Sequence, residues 1–502
     1  MTSSAEPASG MMKGNPRTVL IVAILASFVA FLDGSIVNVA LPAITRELGG
    51  GIETQQWVVD AYLLTLGSLI LVAGSISDTF GRVGVLRAGL VIFGLASVAC
   101  AIAPSSLVLI IARAVQGAGA ALLVPSSLAM ITATFAGAAR AKAIGAWTAW
   151  TGLAFVLGPL LGGFFVDTLS WRWVFAVNVL PIAVTLVLLA RIPSSGHGGS
   201  GTRIDVIGAV LASLGLAGPV FALIEQGRLG WSSPVVYLPL ILGLACFGAF
   251  LWWETRVQHP MMPLGLFRVR NFGFGNIATA AIYAGLALGQ FIITIFLQEV
   301  AGFTAFAAGL ATIPLAILSI SLSTLFGSLA GKHGPRLFMT AGPLIIGAGF
   351  LLMLTTTDPV NFWTQLLPGI LLFGLGLSVT VAPLTAAILG SISPAQSGIG
   401  SAINNAVSRV AGLIAVACAG AIVGAVLDVD AFHRVVFVVS LLFIAGGIVS
   451  FAGIRNQHVV TPVTPEAAAP SHDRPLAGTP TRPTPAVEPD TDGDGGTSGA
   501  TP

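Results

Sequence analysis

Two residues of opposite charge stand where charge is expensive. Asp33 lies in the run Phe31-Leu32-Asp33-Gly34-Ser35-Ile36-Val37-Asn38 and Arg113 in Ile110-Ile111-Ala112-Arg113-Ala114-Val115-Gln116-Gly117, each within a long apolar stretch. A charged side chain in a bilayer core costs roughly 2.5 to 3.5 kcal/mol on insertion scales, so it needs a partner, a polar cavity or a proton. Desolvation raises a carboxyl pKa and a nearby cation lowers it, so a group that alternates between those environments binds and releases a proton. A guanidinium keeps its proton in proteins and must find an anion, carbonyl oxygens or water. Asp33 is the natural partner for Arg113, and arrival of a proton or ligand would break the pair and trigger a change of shape.

Glycine patterns supply the moving parts. Gly74, Asp78, Gly81 and Arg82 form Gly-x-x-x-Asp-x-x-Gly-Arg, which reads as a tight turn with an acidic and a basic latch. The N-terminus of a helix beginning near Gly398 to Ser401 is the expected seat for Asp78. Gly152, Gly158, Pro159, Gly162 and Gly163 place small residues four apart around a proline, so helix backbones approach closely and the helix bends. Both patterns are expected to act in gating. Asn38, Gln116, Gln290, Asn404, Asn405 and Arg409 are candidates for lining a substrate cavity. Asp60 belongs with them, and interhelical hydrogen bonding is the competing role. Glu225, Glu254 and Glu299 fall at the ends of apolar runs and read as solvated boundary residues.

The elements that must hold these residues are membrane helices. The chain has 502 residues, 55% hydrophobic and only 8% charged, where soluble domains run near a quarter charged. Its mean hydropathy is +0.94. A bilayer core needs roughly 20 apolar residues per helix, and such runs divide the chain into fourteen: 18–41, 56–76, 83–103, 106–134, 143–167, 172–192, 204–226, 234–254, 272–298, 306–331, 336–357, 363–389, 398–427 and 432–454. With the N-terminus inside, the inner loops collect most Lys and Arg, including Arg82, Arg87, Arg140, Lys142, Arg268, Arg270, Lys332 and Arg336. The outer loops hold only Arg46, Arg172, Arg228 and Arg434, so both termini are expected in the cytoplasm.

Gly74 to Gly81 matches Gly327 to Gly334 at an offset of 253 residues. The expected fold is therefore an all-α membrane protein of two six-helix bundles, at 18–192 and 272–455. Residues 193–271 carry two inserted helices, 1–17 form a cytoplasmic N-terminus, and 456–502 form a disordered cytoplasmic tail rich in Pro, Thr, Ala, Gly and Asp.

Several chemistries are excluded. No Gly-x-x-x-x-Gly-Lys-Ser/Thr loop, nucleophile elbow or His-Glu-x-x-His motif occurs, and Cys100, Cys246 and Cys418 lack metal or redox spacing. A net charge of +2, spread thinly, gives nucleic acid no footing. Neither an enzyme nor a nucleotide or metal site is expected.

The chain resembles the major facilitator superfamily, and within it the fourteen-span drug:proton antiporters, over about residues 18 to 455. Leu32-Asp33 with Val37-Asn38 and Ala40-Leu41-Pro42 is similar to that branch's first-helix signature. Gly74 to Arg82 is similar to the motif between helices 2 and 3, and Arg113 with Gln116, Gly117 and Gly119 to the helix 4 motif. Gly152, Gly158-Pro159 and Gly162-Gly163 resemble the helix 5 motif found in exporters. The second-half counterpart of the latch has Gly331 in place of Asp78. The resemblance implies proton-coupled efflux of hydrophobic or cationic drugs, or related small molecules, across the plasma membrane by alternating access. Asp33 and Arg113 would couple proton and substrate, with no cofactor beyond the proton. The implied partners are a small-molecule substrate and the lipid bilayer. A metabolite-specific exporter or importer on the same fold, and a receptor that binds without transporting, are the competing readings.

Overall fold

The computed structural model describes residues 15–193, 205–258, 260–393, 396–424 and 426–456, without the side chains of Asp78, Ala138 and Ala141. The acidic latch expected at Asp78 thus lies outside the described residues, as do the tail and most of 193–204.

Fourteen helical spans run through the described chain: α1 (Pro16–Leu48), α2 (Gly51–Phe80), α3 (Arg82–Ala101), α4 (Ser106–Thr134), α5 (Gly137–Thr168), α6 (Trp173–Leu189), α7 (Val206–Leu229), α8 (Pro234–Glu254), α9 (Arg270–Glu299), α10 (Ala305–His333), α11 (Pro335–Leu352), α12 (Leu367–Leu389), α13 (Ser397–Ala417, continued by Ala419–Val423) and α14 (Val429–Gly453). Thirteen are long and apolar enough to cross a membrane by themselves. The sixth is broken between Ala176 and Val179, where the sequence predicts one continuous run. Pro181 explains the break, because it has no N–H to offer the carbonyl of Val177.

Helix ends follow local chemistry. Asn15 caps α1 by accepting from the Arg17 N–H, Ser105 caps α4 at Val108, Thr304 caps α10 at Ala307 and Asp428 caps α14 at Ala431. Gly81 and Gly334 lie 253 residues apart and close equivalent turns at φ of 87° and 85°, a conformation that side chains with a Cβ avoid. The repeat seen in sequence is thus repeated in backbone shape.

Helix pairing repeats as well. In the first half α1 packs on α5, α4 and α6, α4 on α2 and α3, and α3 on α6. In the second half α9 packs on α13, α12 and α14, α12 on α10 and α11, and α11 on α14. The halves meet along two seams, α2 with α13 and α5 with α10. The inserted helices pair with each other, and α7 leans on one seam only, where Val220 and Ile224 join Leu413, Ala417 and Trp57 in an apolar cluster. Helix α8 leaves Leu238, Ile241, Leu242 and Leu244 exposed, as a lipid-facing helix must.

Candidate functional site

Asp33 and Arg113 do pair. Arg113 Nη1 donates to Asp33 Oδ2 at 2.5 Å, and the two side chains are 0% and 1% exposed. The pair sits in a network built from five helices, α1, α2, α3, α4 and α6. Gln116, one turn beyond Arg113, accepts from Arg113 Nη1 at 2.7 Å and donates from Nε2 to Asp33 Oδ1 at 2.8 Å and Ser97 Oγ at 2.9 Å. Asn178, in the break of α6, donates to Asp33 Oδ1 at 2.9 Å. Arg113 Nε donates to the carbonyl of Val58 at 2.9 Å, and the guanidinium carbon lies 4.3 Å from the Tyr62 ring centroid. The charge of each partner is compensated within a buried site, where an ion needs that compensation most.

The network lies inside the first half, away from the central cavity. That cavity, between the halves, encloses about 260 Å3 and is bordered by α1, α5, α9, α10 and α12. Its polar wall includes Asn38, Gln290, Thr312 and Ser319, and its apolar wall Phe155, Ile293, Leu315 and Phe373. Among the described residues no carboxylate borders it. Of the alternatives open to Asp33, the structure shows the partner: Ser35 and Asn38 turn to the cavity, while Asp33 points to α4 and α6.

The other polar candidates separate in the same way. Asn38 and Gln290 border the cavity. Gln116 does not, because its three-residue spacing from Arg113 holds it on the ion-pair face of α4. Asn404 is drawn into the second half, donating to Asn276 and Thr279 at 3.2 and 2.8 Å. Asn405 and Arg409 border a small separate recess with Phe31 and Tyr62. Asp60 is fully buried, and neither of its oxygens meets a hydrogen-bond donor.

The end of the bundle opposite Asn15 and Asn456 is tied across both seams. The Asp167 carboxylate of α5 accepts from the Ala305 and Phe306 N–H groups at 3.1 and 2.8 Å, capping α10 from the other half. Gln55 donates to Glu299 at 2.8 Å, Gln298 to the Val39 carbonyl at 3.1 Å, and Gln56 to the Val416 and Ala417 carbonyls at 2.7 and 2.9 Å. The glycines of α5 permit close packing, Gly163 on α10 of the other half and Gly158 and Gly162 on α1. A Cβ on Gly163 would stand 2.5 Å from Phe306 Cα, one on Gly162 2.8 Å from the Ile36 carbonyl oxygen, and one on Gly158 2.9 Å from Ser35 Cβ. Gly152 and Pro159 border the cavity instead. At the other end, Arg82 reaches the Ala129 carbonyl at 3.2 Å, and a Cβ at Gly74 would meet open space.

Of the three acids read as solvated, Glu225 and Glu254 are buried, while Glu299 is exposed. Glu225 accepts from Trp57 and Arg228, Glu254 from the Met262 N–H, and Glu299 from Gln55. Each lies at a helix end; α2 covers Glu225, and the segment after α8 folds back over Glu254. Asn178, Ser97 and Asp167 were missed, and the signal for Asn178 was a polar residue three positions before a proline in an apolar run.

Comparison with known proteins matches this architecture. The family model described as Major Facilitator Superfamily matches residues 23–416 and 276–487. The puromycin resistance protein of Streptomyces alboniger is 34% identical over 389 residues, 76% of this chain and 77% of that protein. The methylenomycin A resistance protein of Bacillus subtilis is 32% identical over 392 residues, 77% and 83% of the two chains. The multidrug transporter protein MdtP of Bacillus subtilis is 33% identical over 390 residues, 77% and 72%. Among solved structures, the inward open xylose transporter XylE of E. coli superposes with a TM-score of 0.62 at 15% identity, over 89% of this chain and 98% of that one. A peptide transporter POT gives 0.66 at 16%, over 89% and 95%. With paired six-helix halves, an interior ion pair and a cavity between the halves, the chain belongs to the Major Facilitator Superfamily: it is a multi-pass membrane transporter and not an enzyme.

Proposed function

We propose that this transporter exports hydrophobic, drug-like small molecules across the plasma membrane in exchange for protons. Resistance and multidrug transport in the names of its relatives support the direction and the cargo. The Lys and Arg residues gathered at the end carrying Asn15 and Asn456 support a cytoplasmic position for that end. The observation that carries proton coupling is the Asp33–Arg113 pair, buried on every side yet held on a network of exchangeable amides. Protonation of Asp33 removes the counter-charge of Arg113, so the guanidinium must turn to Gln116 and the Val58 carbonyl. That rearrangement pulls on α1, α2 and α4 together and biases the halves, 18–192 and 272–455, towards their other packing.

Alternating access then works on the α5–α10 and α2–α13 seams. The Asp167 cap and the glutamine bonds hold the outer end shut, and Gly74, Asp78, Gly81 and Arg82 govern the cytoplasmic end. Asn38 and Gln290 bind cargo within the apolar cavity. The absence of a carboxylate from its described lining favours the hydrophobic over the cationic part of the expected range.

In inside-out vesicles with an acidic lumen, the wild-type protein is expected to accumulate a fluorescent hydrophobic substrate. Asp33→Asn, normalised to protein in the membrane, is expected to lose that response. Retained gradient-driven accumulation in Asp33→Asn would overturn the coupling role, and accumulation driven only by the reversed gradient would make the protein an importer.

A further inference from the structure

Among the described residues Arg409 has no counter-ion. It lies in α13, within the membrane, and among the described residues its guanidinium meets neither a carboxylate nor a carbonyl oxygen. It rests against an aromatic face, with its central carbon 5.6 Å from the Phe31 ring centroid. Arg113, by contrast, is neutralised by Asp33. A guanidinium held inside a membrane without an anion is costly, and such residues face water or a charged cargo.

The place of Arg409 favours cargo. The recess it borders with Ala30, Phe31, Tyr62 and Asn405 is separated from the central cavity by the Phe31 ring. That ring stands 5.8 Å from the ring of Phe155, a cavity residue, and 6.5 Å from that of Trp147. On α1, Phe31 precedes the cavity residues Ser35 and Asn38, so the recess lies between the cavity and the end carrying Asn15. Cargo loaded from that end passes an unpaired cation and then settles in a chamber whose described lining holds no acid.

We propose that the preferred substrates are apolar molecules bearing one negative charge, such as aryl or alkyl carboxylates, and that Arg409 is their counter-ion. This assignment rests on the export reading above and narrows its cargo. A carboxylate offers the forked guanidinium a charge-assisted, bidentate bond that nothing else in the recess provides, and its apolar body fits against Phe31 and Phe155. An organic cation meets the same guanidinium as a like charge and finds no carboxylate in the cavity to offset it.

The test uses three fluorescent probes built on one apolar body: a carboxylate, its methyl ester and a quaternary ammonium analogue. Transport is measured in inside-out vesicles with an acidic lumen, for wild type, Arg409→Gln and Arg409→Lys. Wild type is expected to move the carboxylate fastest, the ester more slowly and the ammonium least. Arg409→Gln is expected to lose carboxylate transport by about tenfold or more, the effect of one charge-assisted hydrogen bond, and ester transport by much less, with the amount of monodisperse protein extracted from the membrane reporting an intact fold. Arg409→Lys keeps the charge without the fork and is expected to retain the order of the probes at a reduced rate. Should Arg409→Gln fail to reach the membrane, reversal of the carboxylate–ester order in Arg409→Lys overturns the assignment and retention of the order supports it. An unchanged carboxylate-to-ester ratio in Arg409→Gln overturns it, as does a wild-type preference for the ammonium probe. In both of those cases export itself stands. Failure of wild type to move any of the three overturns the export reading together with this one.

Discussion

Replacing Asp33 by Asn tests the ion pair as a structural unit separately from its part in transport. The carboxylate accepts from three donors: Arg113 Nη1 at 2.5 Å, Gln116 Nε2 at 2.8 Å and Asn178 Nδ2 at 2.9 Å. An asparagine has one acceptor oxygen. If that oxygen faces Arg113, its NH2 group is turned against two amide donors; if it faces the amides, the NH2 group is turned against the guanidinium. Either orientation breaks bonds and leaves a buried cation without an anion, a loss of about 3 to 5 kcal/mol where one member of a buried pair is removed. Arg113→Gln alone strands the carboxylate at a similar cost. In Asp33→Asn/Arg113→Gln both charges are gone and the amides can pair among themselves, so most of the stability returns. The double-mutant cycle is therefore expected to give a coupling larger than the cost of either single variant, about 5 kcal/mol or more. Reversible unfolding in mixed micelles, followed by tryptophan fluorescence, measures all four corners. The double variant is expected to fold as wild type and still fail to couple transport to a pH gradient. The reasoning is refuted if the single variants each cost less than about 1 kcal/mol, the range of a solvated pair, or if the double variant is no more stable than either single.

Asp167→Asn weakens the cap on α10, a contact worth about 0.5 to 2 kcal/mol, and should open the outer end more often. A cysteine at Phe306 is then expected to react faster with a membrane-impermeant maleimide, and an unchanged rate would count against the latch. Gly163→Leu places a side chain against the backbone of Ala305 and Phe306. The expected result is a folded protein that cannot close its outer end and does not transport, detected by the same labelling; normal transport would refute the role of that contact. Asp60→Asn removes no hydrogen bond, since neither oxygen has a donor, and should change stability by less than about 1 kcal/mol, in contrast to Asp33→Asn. Gln290→Leu, in the cavity wall, is expected to raise KM for some substrates and leave others unaffected; a uniform loss of all transport would assign Gln290 to the machinery instead.

The helices were legible because apolar length is a local property. Each run of roughly 20 residues declares itself without knowledge of its neighbours, and Gly81 and Gly334 mark the repeat because only a glycine takes that turn readily. Asp33 and Arg113 were legible for the same reason, since a charge inside an apolar run is conspicuous. What was not legible depended on which face of a helix met which partner. Gln116 and Asn404 have the composition of cavity residues, yet neighbours one helix away claim both. Glu225 looks solvated until Trp57, 168 positions earlier, is brought alongside by folding. The cavity itself arises where α5, α9, α10 and α12 fail to fill the space beside α1, and no single helix encodes that gap.

Helix α1 has a further consequence. Asp33 and Ser35 are two positions apart, which on a helix of 3.6 residues per turn separates their directions by about 200°. One face of α1 therefore holds the charge network and the other forms part of the chamber wall. Substitutions on the chamber face can alter which compounds are accepted without disturbing the side chains that bind the charge. A lineage bearing this helix can change its diet of compounds while inheriting its engine intact, a division of labour that suits a protein meeting chemically unfamiliar molecules.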